Sequence, residues 1–522
     1  KRLRRCRRNF KTVMNIRIDN IKLNIGESED KLIKIAAKKL GRPLKSFSII
    51  KKSLDARDKN NIYWVYSVVA SDEQVVCAPP ERIKKSKKAV IVGAGPAGLA
   101  CAVRLIEHGI LPIIIERGET VEQRKLTTEK FFTERVLDVN SNVHLGEGGA
   151  CTFSDGKLNT QTHSGFNRSV LEMFNKFGAP QEILYLNKPH VGSDKLYDVL
   201  RNMRAYIVRN GGEYRFNTLL TEINCSDGKL QSLTLENVKT GESSVIQTDV
   251  AVLAIGHSSR DTFVMLNRCG IELQQREFAV GVRVEHLASE IGKSQYGSHY
   301  KELPTADYKL VSHAHARTVF TFCMCPGGVV IPSASEEGGV VTNGMSEYAR
   351  NGVNSNAALM VQLKKEDFGG EDLFAGMRFQ QTVERLAFEA GGRNYKAPVQ
   401  LYKDFASGRI SDRFGDILPT YSAGCAFAPL EWVLPSVAVE ALKAAIPDMG
   451  KRLKGFDCPD AVLTGVETRF SSPVKIVRGE SCESVSVGGL YPCGEGSGYS
   501  GGITSSAADG LRVAEKIFEK YR

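Results

Sequence analysis

Long apolar runs are missing from this chain: nothing in its 522 residues approaches the roughly 18 uninterrupted apolar residues that a membrane-spanning helix needs. A secretory leader with charged, apolar and small-residue parts is missing too, so we expect a soluble, cytoplasmic protein with no membrane insertion. The twelve cysteines lack the close spacing of a disulfide framework or a zinc site, Cys323 and Cys325 excepted, and fit thiols kept reduced. His313 and His315 share one strand face without a third ligand, so no metal is assigned. Internal repeats are absent. What is present is 42% hydrophobic residues in a chain long enough for two or three separate cores.

Charge is distributed unevenly. Residues 1–13 carry +7 with no acid and residues 14–88 carry +8, which leaves −4 for the rest of a chain whose net charge is +11. Such a basic end raises nucleic acid or an acidic partner as a ligand. No aromatic-rich or helix-turn-helix pattern accompanies it, so a solvated basic face is the favoured reading and nucleic-acid binding the disfavoured one.

The patterning predicts a basic, disordered leader (1–13) and then a small βαββ accessory domain (14–76). Ile16, Ile18, Ile21 and Leu23 nearly alternate as in a half-buried strand, and Ser28 is placed to cap a helix that Gly41 stops. Strands near Phe47–Ile50 and Tyr63–Ala70 follow. A Lys- and Pro-rich linker (77–88) precedes a change to α/β patterning. We expect a Rossmann-type domain in two parts (89–270 and 466–522) around an inserted α+β substrate domain (271–465). The segments Glu213–Thr218, Leu230–Leu235, Ser244–Gln247 and Val250–Ile255 read as further strands of that Rossmann-type domain.

The strongest signal is Gly93-Ala94-Gly95-Pro96-Ala97-Gly98, which follows the buried strand Ala89–Val92 and opens a helix. Gly93 permits the tight turn, Gly95 lets a pyrophosphate approach the backbone, and Gly98 lets helix and strand pack closely. A second buried strand, Pro112–Ile115, ends at Glu116 and Arg117, where the carboxylate can accept hydrogen bonds from a ribose diol. Leu490 to Glu495 is an apolar strand ending in Gly494-Glu495, followed by glycines and a helix from Gly502-Ile503. This resembles the second FAD signature of glutathione-reductase-like flavoproteins, with Glu495 in place of Asp. Val252 to Gly256 resembles the Ala-Thr-Gly segment of the same families, with Ile255 departing at the middle position. Together these imply FAD. The stretch Gly496–Gly501 also spells G-x-G-x-x-G, but too little chain follows it for a second nucleotide fold. Two routes for electrons stay open: NAD(P)H binding transiently across the flavin, or an organic substrate reducing it directly.

A glycine-rich loop from Gly146 through Gly148, Gly149 and Cys151 to Asp155 and Lys157 lies where related flavoproteins cover the isoalloxazine. That loop, Pro79-Pro80-Glu81-Arg82, Cys323-Met324-Cys325-Pro326-Gly327-Gly328 and Ser335-Glu336-Glu337-Gly338-Gly339 together resemble a bacterial family of FAD-dependent, or NAD(FAD)-utilising, dehydrogenases. The resemblance runs over nearly the whole chain from Met14. It implies the fold and FAD and brings no settled reaction. Cys151 departs from the family's glycine, which makes it a poor catalytic candidate.

Lys157 is a candidate donor to the flavin N5 or C4 carbonyl region, and Asp155 a candidate to position it or to move a proton. Cys323 and Cys325 are candidates for a strained, easily reduced disulfide, although the favoured reading of the pair is two small core thiols on one strand face. His257, Ser258, Arg260, Arg283, Glu285, His286, Arg469, Ser471 and Ser472 are further polar candidates. The leading expectation is an FAD-dependent oxidoreductase acting on a small-molecule substrate. An RNA-modifying flavoprotein that uses the basic N-terminus and a non-catalytic FAD-binding scaffold are the alternatives.

Overall fold

The computed structural model describes residues 15–73 and 87–522. The basic leader, Met14, the Pro79-Pro80-Glu81-Arg82 motif and most of the expected linker lie outside the described residues. Lys87 and Lys88, read as linker from sequence, already belong to a strand.

The N-terminal unit consists of β1 (Asn15–Asn24), α1 (Asp30–Leu40), β2 (Ser46–Asp55) and β3 (Tyr63–Ser71), with the sheet ordered β1-β3-β2. Leu32 and Ala36 of α1 pack with Tyr66, Val68 and Ala70, the side chains of one sheet face. Gly41 stops the helix with φ 63°, a left-handed C-cap. The expected Ser28 cap is displaced by one residue. Glu29 occupies the N-cap and turns its carboxylate to Lys52 and Tyr66, while the Ser28 hydroxyl accepts only from the Asp30 amide. The unit docks through Lys52, whose amide donates to the Tyr185 carbonyl and whose carbonyl accepts from the Asn187 amide.

The dinucleotide-type unit is built on β4 (Lys87–Val92), α2 (Pro96–Glu107), β5 (Ile110–Ile115), β6 (Glu213–Arg215), β10 (Ala251–Leu253) and β18 (Leu490–Pro492). Its strands form a five-stranded parallel sheet ordered β18-β10-β4-β5-β6. Both faces are covered, which is why Ala89–Val92 and Ala251–Leu253 read as continuous apolar runs rather than alternating ones. The chain's last two elements, β18 and α5 (Ile503–Tyr521), close this unit, with Ala514 and Ile517 of α5 in the same core as Ala100 and Ala102 of α2. Not every further strand expected in this domain joins that sheet. β7 (Thr218–Ser226), β8 (Lys229–Asn237) and β9 (Ser243–Gln247) form their own three-stranded antiparallel sheet, because consecutive strands joined by short turns pair as hairpins.

The middle of the chain forms a seven-stranded sheet from β11 (Phe278–Leu287), β12 (Val311–Ser312), β13 (Val319–Cys325), β14 (Asn354–Leu363), β15 (Ala397–Leu401), β16 (Cys425–Phe427) and β17 (Val462–Glu467). Its order is β12-β13-β14-β11-β17-β15-β16, antiparallel except for the last pair. α3 (Arg260–Arg268) of the first unit and α4 (Ala375–Ala390) of the second are tied by a buried ionic cluster. Both terminal nitrogens of Arg260 reach the Glu384 carboxylate at 2.8 and 2.9 Å, and Arg469 grips it from the other side at 2.9 Å.

Candidate active site

A cavity of about 660 Å³ runs along the carboxyl ends of β4, β10 and β5 and is walled on its far side by the antiparallel sheet. Its size is that of a pocket for a substantial organic ligand, and the carboxyl ends of parallel strands are where open α/β sheets bind ligands.

The glycine turn forms one end. A Cβ at Gly93 would lie 2.2 Å from the Ala254 carbonyl oxygen, and one at Gly98 would lie 2.0 Å from the Gly93 oxygen, so these two glycines are demanded by the protein's own packing. Gly95 differs: it lines the cavity, and a Cβ there would meet no heavy atom within 4 Å. That cradle at the N-terminus of α2 leaves room for a phosphate against bare backbone amides. Gly149 of the second loop packs on it, its Cβ position 3.3 Å from the Gly95 Cα, and the Gly148 amide donates to the Ala94 carbonyl.

Glu116, at the end of β5, accepts from the amides of Ala94, Gly118 and Gly146 at 2.8 to 3.0 Å. The expected ribose carboxylate therefore also braces three turns that shape the cavity. Arg117 lines the rim and is held by Asp261. Arg124, wholly buried, organises the second loop: its guanidinium donates to the carbonyls of Asn142, Val143, Gly146, Glu147 and Gly149. Burial pulls it down to about 10.

Pro96, Ala97, Gly256, Glu495, Gly502 and Ile503 line the cavity as well, and so do Asp155, Lys157 and Cys323. Ala94, Gly98, Gly148, Gly494 and Cys325 lie behind the wall. Gly494 is required by the close approach of α2, since its Cβ would sit 2.7 Å from that of Ala97. Asp155 is buried, 3.1 Å from Lys157 and paired through both oxygens with Arg350. Burial opposes its charge, but Lys157 and Arg350 outweigh burial and hold the carboxyl below its usual range. The same pairing holds Lys157 above its ordinary value in spite of burial. Beyond Asp155, the Lys157 Nζ has no hydrogen-bond partner among the described residues.

Burial, followed by the nearby Cys323, pushes Glu495 up to about 7. Its neighbour His257, 3.5 Å away, is driven down to about 3 by burial and then by Arg469 and Arg260. His144, absent from the sequence expectations, stands edge-on to His257 and pairs with Ser333 at 2.8 Å. Arg350 is the other omission. It meets Asp155 across 195 residues of chain, and no local motif announces such a contact.

Several polar candidates are not at the site. Arg260 is consumed by Glu384 and Glu336, and Arg283 by Glu467, Asn343 and Asn356. Glu285 is held by Asn354 and Thr420, and His286 faces the Phe456 carbonyl. Ser471 and Ser472 stay outside the lining, whereas His257, Ser258 and Arg469 reach it. A buried charge needs partners, and at these positions the core supplied them. Cys151 donates to the Gly148 carbonyl and is pushed up to about 12 by burial, a thiol unsuited to nucleophilic work. Among the described residues no cluster of three metal-ligating side chains occurs, and no helix is long and apolar enough to cross a membrane.

Residues 277–470 match the family model described as "FAD-dependent protein, C-terminal domain-like", which supports FAD binding, and residues 15–71 match a "Domain of unknown function (DUF8436)". Among solved structures, the chain is similar to a triple mutant of the flavin-dependent brominase Bmp2, with 12% identity, 83% of this chain and 80% of that one covered, and a TM-score of 0.37. It is also similar to a glycerol-3-phosphate dehydrogenase from Bacillus halodurans complexed with FAD, with 10% identity, coverage of 84% and 64%, and a TM-score of 0.36. At these scores the likeness is loose. A protein of Clostridium beijerinckii (strain ATCC 51743 / NCIMB 8052), described as "Uncharacterized protein", is 45% identical over 537 residues, covering 97% of this chain and 99% of that one. The chain belongs to the family of this clostridial protein, with the FAD-dependent protein C-terminal-like domain at residues 277–470.

Proposed function

We propose that this protein is an FAD-dependent oxidoreductase that exchanges a hydride between a small organic molecule and flavin N5. The observation that carries the reading is the single cavity joining the open space at Gly95 to the N-terminus of α5 and to Lys157 and Cys323 on the antiparallel wall. Bound FAD would supply the hydride-accepting ring. The chain's own residues would do the rest. Amides and dipole of α2 would hold the pyrophosphate, and the one lone pair of Glu116 that the amides of Ala94, Gly118 and Gly146 leave open would accept from the ribose. The N-terminus of α5 and the Lys157 ammonium favour negative charge at the ring's polar edge. Phe320, Phe322 and Phe470, packed edge to face in the opposite wall, keep water from the reacting face. Glu495, poised at about 7, can hold or release a proton near neutral pH.

The test begins with colour. Purified protein should be yellow and release FAD, identified by mass, and Gly95→Asp should remove it by setting a charge against the pyrophosphate. A Gly95→Asp protein with stoichiometric FAD would overturn the site assignment. Anaerobic titration then assigns the reductant: bleaching by NADH or NADPH makes a nicotinamide the donor, and indifference to both leaves an organic substrate.

A further inference from the structure

Strand β13 does not run straight to its end. Phe322 pairs with Ala358 and Cys325 with Asn356, so three steps on β13 match two on β14 and one extra residue is accommodated between them. Cys323 stands in this bulge at φ 39°, a left-handed backbone conformation that non-glycine residues rarely adopt and that concentrates at functional sites. The bulge turns Cys323 into the cavity, while Cys325 lies fully buried behind it.

The Cys325 thiol donates to the Cys323 carbonyl at 3.3 Å, and the two sulfurs are near enough for each to shift the other's ionisation. The surroundings keep them together. A Cβ at Gly344 would lie 2.9 Å from the Cys325 Sγ, and one at Gly328 3.1 Å from its Cβ, so both neighbours have only hydrogen where the thiol needs room. Cations converge on the outer thiol: Arg283 donates to the Cys323 carbonyl at 2.8 Å, and the Lys157 ammonium is near enough to act on both sulfurs. The neighbouring Cys325, and after it Arg283 and Lys157, hold Cys323 well below the ordinary thiol range, and Cys323 in turn holds Cys325 above it. Cys323 is therefore the more acidic thiol, facing the cavity, and Cys325 its less acidic, buried partner. That asymmetry lets one sulfur of a dithiol exchange with external thiols while the other resolves the product.

We propose that Cys323 and Cys325 are a redox-active dithiol and that the substrate class of this site is a small dithiol or its disulfide; the proposal rests on the FAD reading. In the oxidised pair, an external thiolate attacks the Cys323 Sγ. The Sγ–Sγ bond breaks and Cys325 leaves, taking a proton. The second external thiol then displaces Cys323, so the external compound departs as a disulfide and both protein thiols are reduced. When the pair closes its bond again, two electrons and two protons pass to FAD. The sum is one dithiol and one FAD converted to one disulfide and one reduced FAD.

The tryptic peptide 318–350 contains only these two cysteines, which allows the pair to be read without interference from the others. After diamide treatment of the native protein and alkylation, the peptide should weigh two hydrogens less and carry no label. With dithiothreitol under argon, wild-type flavin should bleach about tenfold or more faster than flavin in Cys323→Ser or Cys325→Ser. Each variant's flavin content, read from its oxidised spectrum, confirms that the cavity is intact. A yellow protein whose peptide keeps both thiols, or whose flavin bleaches equally fast in all three proteins, overturns the dithiol and leaves the FAD reading standing. A protein that takes up no FAD overturns both.

Discussion

Replacing Gly95 by alanine separates what the protein needs from what its ligand needs. Gly95 caps α2 at φ −78° and ψ −178°, an extended conformation open to any residue, and its Cβ would enter space with no protein atom within 4 Å. For the flavin-free protein the exchange should therefore be worth less than about 1 kcal/mol, with a slightly poorer N-cap set against lower chain entropy in the unfolded state. A phosphate hydrogen-bonded to the amides of this turn sits about 2.9 Å from nitrogen and would meet the new methyl directly. Overpacking of that kind costs about 1–3 kcal/mol, which is roughly 5- to 150-fold in dissociation constant. Gly98→Ala is the control. Its methyl would lie 2.0 Å from a backbone oxygen, so fold and flavin should be lost together. Urea denaturation of the flavin-free proteins, followed by titration with FAD, measures both terms. A Gly95→Ala protein that binds FAD as tightly as wild type would refute the placement of the pyrophosphate at this turn.

Other perturbations bear on separate parts of the site. Lys157→Met should move the flavin's two-electron potential negative by about 30–60 mV, the equivalent of one charge-assisted hydrogen bond; dye equilibration showing no shift would remove Lys157 from the ring. Glu384→Gln leaves the buried guanidiniums of Arg260 and Arg469 without their shared carboxylate and should cost about 3–5 kcal/mol in urea unfolding. A loss below about 1 kcal/mol would mean that the cluster is not what clamps the two units together. Glu495, raised by burial to about 7, favours the folded state fully below the unfolded value near 4.3, and that contribution disappears as pH rises through 7. Flavin-free Glu495→Gln should therefore gain about 2–3 kcal/mol on wild type between pH 5 and 8; parallel stability profiles would contradict a buried, proton-holding carboxyl.

The glycine turn was legible because its constraints are local. Gly93 is dictated by its backbone φ of 105° and Gly98 by contact with the Gly93 oxygen, both within one strand–turn–helix unit, so spacing along the chain reports them; the contacts of Gly93 with Ala254 and of Gly494 with Ala97 join distant parts of the chain. The small N-terminal sheet was legible for the same reason, since Ile16, Ile18 and Leu23 carry the alternation of a half-buried strand. Periodicity says nothing, however, about which sheet a strand joins. Leu230–Leu235 looks like any half-buried strand, and only the short turns on either side send it into a hairpin sheet rather than beside β10.

Polar residues were misread in a consistent direction, and the reason is physical. From sequence, an arginine or glutamate amid apolar strands signals chemistry, because an unpaired buried charge is costly. The structure resolves that cost in two ways. Arg260, Arg283 and Arg469 each find a carboxylate more than 80 residues away, and Arg124 finds none and is satisfied by backbone carbonyls instead. Arg260, Arg283 and Arg124, so engaged, lie behind the lining, whereas Arg469 reaches the cavity with guanidinium hydrogens that Glu384 and Ser335 do not take. Lys157 stands apart: beyond its contact with Asp155 its ammonium has no hydrogen-bond partner among the described residues, and it lines the same cavity as Cys323. A cation whose remaining hydrogens point at no protein atom is the kind of group that a site retains for what binds there, which is why the chemistry is assigned to the Lys157 and Cys323 wall and not to the larger ionic clusters behind it.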